Sequence, residues 1–110
     1  MEISWSDFEK VEMYVGTILA VQDFPEARKP SYKLRIDFGK MLGVKKSSAQ
    51  ITIGYTKEDL VGKQIIAVLN FPKKQIGTFM SECLVLGAVN SKNVILLQPG
   101  IEVENGLRIL

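Results

Sequence analysis

The chain is 110 residues long, with no histidine, a single cysteine and a formal net charge of only +2. Those absences exclude His-based general bases, Ser-His and Cys-His nucleophile pairs and the usual zinc ligand sets. The charge is segregated: residues 28–74 hold eleven Lys and Arg against three acids, near +8, while the two flanks together stand near −6, a distribution that draws polyanions to the middle of the chain.

Ser6-Asp7-Phe8-Glu9 has the form of a capping box with Ser6 as N-cap, predicting a helical turn before the first strand. No basic region followed by an apolar stretch precedes it, so no secretory leader is expected. Glu12 to Phe24 is predicted to be a strand, with Met13, Val15, Thr17, Leu19 and Val21 on one face and Gly16 and Ala20 on the other. Pro25 and Pro30 bracket a loop. Tyr32, Leu34, Ile36 and Phe38 then alternate with Lys33, Arg35 and Asp37, the pattern of a half-buried antiparallel strand that Gly39 stops.

A third strand falls within Leu42 to Ile53. Thr56 caps a short helix to Leu60, its acids Glu58 and Asp59 in the first turn and Gly62 past its end. Gln64 to Phe71 reads as a buried strand whose aliphatic run, Ile65 to Leu69, is far too short to span a membrane. Asn70 to Met80 is a polar, basic loop. Glu82 to Val89 is a further strand, Asn90 to Asn93 a turn and Val94 to Leu97 its hairpin partner. Cys83 lies in an apolar stretch as a packed side chain, and a lone cysteine fits a reducing cytoplasm. Ile101 and Val103 alternate with Glu102 and Glu104 in a last extended piece, and Asn105-Gly106 reads as a turn. With no linker or repeat, residues 1–110 are expected to form one domain. Several short strands with one helix between the third and fourth describe an all-β, five-stranded OB-fold, a Greek-key barrel.

Two clusters could meet a nucleic acid. Asn70-Phe71-Pro72-Lys73-Lys74, continuing to Phe79-Met80-Ser81, supplies cations for phosphates from Lys73 and Lys74, hydrogen bonds from Asn70 and Ser81, and apolar contact from Phe79 and Met80. Phe71 reads equally as core or contact. Lys45 and Lys46, followed by Ser47 and Ser48, could read the same backbone or simply keep a strand soluble. Arg28, Lys29, Lys33 and Arg35 extend the basic surface, and the pattern leaves open whether all these cations share a face. Gly62-Lys63 fails as a phosphate-binding P-loop because Gln64 stands where Ser or Thr is required.

Asp7-Phe8-Glu9-Lys10-Val11 with Val15-Gly16-Thr17-Ile18 resembles the opening of the stand-alone tRNA-binding domains, relatives of the RNA-binding appendages of methionyl- and phenylalanyl-tRNA synthetases. Phe24-Pro25-Glu26-Ala27-Arg28 with Tyr32-Lys33-Leu34, and Asn70-Phe71-Pro72-Lys73-Lys74 with Gly77 and Ser81, resemble two further segments of that family. Ser47-Ser48-Ala49-Gln50-Ile51-Thr52 and Ser81-Glu82-Cys83-Leu84-Val85-Leu86-Gly87 are similar to the CsaA subgroup. Phe24 stands where the family has His, Pro30 and Ser31 interrupt the Asp-Lys-Leu portion, and Glu82-Cys83 replaces a common Gly-Met pair. The resemblance implies a homodimeric OB-fold with N- and C-terminal extensions flanking the barrel. It further implies non-catalytic binding of tRNA or similar structured RNA through a basic rim, with no cofactor or metal. For CsaA-like proteins it implies, alternatively, a chaperone that holds unfolded polypeptides for export.

Overall fold

The computed structural model describes all residues from Met1 to Leu110. A short helix, α1 (Trp5–Glu9), precedes the long strand β1 (Met13–Asp23). Strands β2 (Tyr32–Asp37) and β3 (Val44–Ala49) follow, then helix α2 (Lys57–Leu60) and strand β4 (Gln64–Val68). The remainder is built from short strands: β5 (Lys74–Ile76), β6 (Phe79–Ser81), β7 (Leu84–Val85), β8 (Gly87–Asn90) and β9 (Asn93–Leu96). Five of them form one antiparallel sheet in the order β3-β2-β1-β4-β7, and β5-β6 and β8-β9 are hairpins. The sheet curls until the segment after β6 reaches β3, where the Glu82 N–H donates to the Lys46 carbonyl at 2.8 Å. The result is a nearly closed OB-like barrel with α2 between its third and fourth strands, as predicted. No helix is long and apolar enough to cross a membrane.

The alternation in β2 puts Leu34, Ile36 and, just beyond the strand, Phe38 inside, each at most 1% exposed, against Ile18, Leu60, Ile65 and Ala67. Burying each large apolar side chain contributes about 1.5–3 kcal/mol. Gly16 faces this interior because nothing larger fits: a Cβ there would stand 2.7 Å from Ile36 Cγ2 and from the Phe38 ring. Helix α2 is capped at Thr56, whose hydroxyl accepts the Asp59 N–H while Asp59 accepts the Thr56 N–H. Gly62, at φ +89°, then turns the chain into β4. Ser47 is the polar side chain at the centre; its hydroxyl donates to the Cys83 carbonyl at 2.9 Å and so ties β3 across the closure.

Several expectations need correction. The first N-cap is Ser4, not Ser6: Ser4 Oγ accepts the Asp7 N–H and Asp7 accepts the Ser4 N–H, so the box lies two residues earlier. The zigzag along β1 breaks at a bulge, with Ile18 opposite Ile36 and Val21 opposite Leu34, leaving Leu19 as the extra residue, turned out to solvent. Strand β4 ends at Val68, short of Phe71. The basic loop at 70–80 contains the β5–β6 hairpin, turned at Gly77 with φ +61°. The strand expected over 82–89 divides at Leu86, whose N–H bonds Ile66 and whose carbonyl takes the Leu97 N–H. The C-terminal piece forms no strand, but Gly106 to Ile109 bond along Met13 and Val15 and cover the side of β1 that β2, pairing only from Thr17 onward, leaves open. Thr17 and Gln64 secure it through the Asn105 side chain, at 2.8 and 3.1 Å.

Candidate nucleic-acid interface

The cations do gather in part on one surface, and strand register explains how. In the β2–β3 pair, Tyr32, Leu34 and Ile36 face inward, so Lys33 and Arg35 must face outward. Arg35 stands directly opposite Lys46 and Lys33 opposite Ser48. The same alternation separates the two adjacent lysines: Lys45 is half-buried opposite Ile36, on the inner side, and only Lys46 joins Arg35 outside.

Two aromatic rings complete this surface. Phe24, just beyond β1, is buried and packs its ring edge-on to Phe79 of β6, with centroids 5.3 Å apart and planes at 62°. Lys33 Nζ lies 5.3 Å from the Phe24 centroid and 5.8 Å from that of Phe79. Lys46 Nζ lies 5.5 Å from Phe79. A half-buried Phe79 therefore has two ammonium groups over it, an arrangement held by the quadrupole of the ring. Phe24 is a member the sequence reading did not place at the site, whereas Lys33 and Arg35 were expected as extensions of the basic surface and are brought into it by the outward alternation of β2.

The other expected residues take different places. Lys73 Nζ is 3.5 Å from Glu82 Oε2, and no other patch cation (Lys33, Arg35, Lys45, Lys46, Lys74) has a carboxylate within ion-pair distance. Accepting the Lys46 N–H at 2.8 Å holds the Glu82 carboxyl below its usual range, and Lys73 and Lys45 add to the effect. Ser81 is opposite Lys74, and its hydroxyl accepts the Ser48 N–H at 3.2 Å, pinning the hairpin to β3. Met80, opposite Gln75, is half-buried. Asn70 lies apart: its amide donates to the Lys10 carbonyl at 2.6 Å and its oxygen accepts the Glu12 N–H at 3.0 Å, fastening α1 to the end of β4.

Beside the hairpin runs a mostly apolar groove of about 660 Å³, whose walls include Ile51, Ile76, Leu84 and Val89. Lys74 is its only charged lining residue, and Phe71, 55% exposed, stands at its wall. Cys83 also lines it, but burial pushes this thiol up to about 11. Nowhere do three side chains of the metal-ligating kinds come together.

A barrel of this topology, with short helices and a sheet face bearing cations and aromatics, is the architecture of the OB class of binding domains. Within that class the chain belongs to the putative tRNA binding domain family, whose model matches residues 13–108. It is similar to a solved CsaA chaperone protein from Picrophilus torridus, with 52% identity and a TM-score of 0.94 over 99% of this chain and 100% of that one. The chaperone CsaA of Bacillus anthracis str. Ames is 48% identical, with a TM-score of 0.94 over the whole of both chains. Among sequences, the methionine–tRNA ligase of Thermococcus onnurineus is 34% identical over 107 residues, 97% of this chain but only 14% of the ligase.

Proposed function

We propose that this protein binds tRNA or a similarly structured RNA, without catalysis, through the outer face of β2 and β3 and the adjoining β5–β6 hairpin. One observation carries the reading: Arg35 is held directly opposite Lys46, with Lys33 alongside and the aromatic ring of Phe79 within 6 Å of the Lys33 and Lys46 ammonium groups. Like charges facing each other across strands destabilise a sheet, so a surface that keeps them is suited to a ligand that neutralises both. Lys33, Arg35, Lys46 and Lys74 take phosphates, with Lys45 reaching them from the inner side. Phe79 offers a ring on which a base can stack once an ammonium moves to a phosphate, and Met80 adds apolar contact. The apolar residues Ile3, Trp5, Ile101 and Leu110 are exposed and would suit a second copy of the chain, whose two-fold would duplicate the patch for one folded RNA. The family, and the tRNA ligases among the relatives, support the same ligand.

The apolar groove, with Phe71 exposed along it, favours a second reading in which unfolded polypeptide is held there, consistent with the name chaperone carried by the CsaA relatives. Titration of labelled tRNA between 50 and 200 mM salt (about a fourfold range), with an unfolded polypeptide as competitor, separates the two. Affinity for tRNA is expected to fall steeply with salt. Affinity that stays flat over that range, with tight polypeptide binding, would refute the RNA reading.

A further inference from the structure

Glu82 is the one carboxylate within ion-pair distance of a lysine of the patch. Its backbone N–H donates to the Lys46 carbonyl at 2.8 Å, and its Oε1 accepts the Lys46 N–H at 2.8 Å. Its Oε2 is 3.5 Å from Lys73 Nζ, and only 22% of the side chain is exposed. An oxyanion between a strand N–H and an ammonium occupies the position a phosphate oxygen takes when backbone amide and lysine share it.

We infer that Glu82 is a selectivity residue for the RNA surface: an internal anion that fills a would-be phosphate subsite and withholds Lys73 from the ligand. This rests on the RNA-binding reading above. A polyanion approaching at Lys73 meets an occupied subsite, so a featureless strand gains little there. A ligand whose shape also engages Lys33, Arg35 and Lys46 binds regardless. Glu82 thus trades total affinity for discrimination, and it does so while supplying the acceptor that closes the barrel at β3.

Glu82→Gln is the informative variant, because its amide oxygen still accepts the Lys46 N–H while the charge is gone. Relative to wild type, its tRNA affinity is expected to rise about two- to fivefold at low salt, the range of an exposed charge pair. The slope of log affinity against log salt should steepen by about 0.7–0.9, one extra counterion released. Binding of poly(U) should gain more than binding of tRNA. Lys73→Gln in the otherwise wild-type protein tests the same idea without touching the closure: its slope should be unchanged, because Lys73 is already paired. In the Glu82→Gln background the same replacement should return the slope to the wild-type value. Wild-type slope and affinity in Glu82→Gln, or a slope lowered by a full charge in Lys73→Gln alone, would overturn the inference and leave RNA binding standing. Absence of salt-dependent tRNA binding by the wild type would instead sink the underlying reading and this one with it.

Discussion

Replacing Lys33 and Lys46 together by Gln strikes the surface where register, charge and aromatic contact coincide. Both ammonium groups lie within 6 Å of the Phe79 centroid, and Lys46 faces Arg35 directly. Losing three cation–π contacts, Lys33 with Phe24 and Phe79 and Lys46 with Phe79, costs about 0.5–1 kcal/mol each. Removing the Arg35–Lys46 repulsion returns about 0.2–1 kcal/mol, so the double variant is expected to lose about 0.5–3 kcal/mol of stability and to melt several degrees below the wild type while still folding. Its RNA binding should change too. Two fewer neutralised phosphates lower the salt slope by about 1.4–1.8, at about 0.7–0.9 each. Over a fourfold change from 50 to 200 mM salt, the affinity gap between wild type and variant should therefore shrink by about seven- to twelvefold. Fluorescence anisotropy of labelled tRNA at five or six salt concentrations measures this. Lys10→Gln is the control, since Lys10 sits at the end of α1 beside Asp7, at 3.5 Å, away from β2 and β3. A variant whose slope equals that of the wild type, however weakly it binds, would show that Lys33 and Lys46 do not contact phosphate.

Two further outcomes follow from residues whose side chains are already committed. Asn70→Ala removes the bonds to Lys10 and Glu12, so thermal unfolding should show a loss of about 1 kcal/mol with the tRNA salt slope intact; a lowered slope would return Asn70 to the ligand surface. Cys83, 7% exposed with its thiol pushed up to about 11 by burial, should resist a disulfide reagent at pH 8 until urea opens the barrel. Labelling at the rate of an unfolded thiol without denaturant would contradict the packing described.

What could be read from the residues, and what could not, divides along a physical line. Tyr32 to Phe38 announces its strand because one face is buried and the other wet, which is the condition under which period-two patterning appears. Thr56 to Gly62 is equally plain, since capping is chemistry local to a few residues. In β1 the alternation misleads, because a bulge at Leu19 shifts the phase and nothing local marks it. The β5–β6 hairpin was hidden by its shortness, three residues a strand, and by side chains that pair across a turn instead of lining a core. Within the candidate site, residue type predicted roles that only long-range contacts could assign. Asn70 was expected to hydrogen-bond the ligand, and its side chain also bonds Lys10 and Glu12, about sixty positions away, contacts that no local pattern marks. Adjacent lysines 45 and 46 looked like one cluster, yet a strand sends neighbours to opposite sides.

The closure of the barrel and the basic patch are made by the same few groups, and this constrains how the surface can change. Between β3 and residues 81–83 there is no regular ladder; Glu82, Ser81 and Ser47 bridge the gap with one side chain each. Those bonds set where Lys46 sits and therefore whether its ammonium reaches Phe79. Ser47 is fully buried, so its hydroxyl must keep the Cys83 carbonyl as partner or leave an unpaired group in the core, at about 1–3 kcal/mol. Ser81 and Glu82 lie nearer the solvent and can exchange partners at smaller cost. Selection on ligand choice then has room at positions 81 and 82, in the charge and reach of the bridging side chain, whereas position 47 is bound to stability. The surface can be retuned from its rim without disturbing the sheet that carries it.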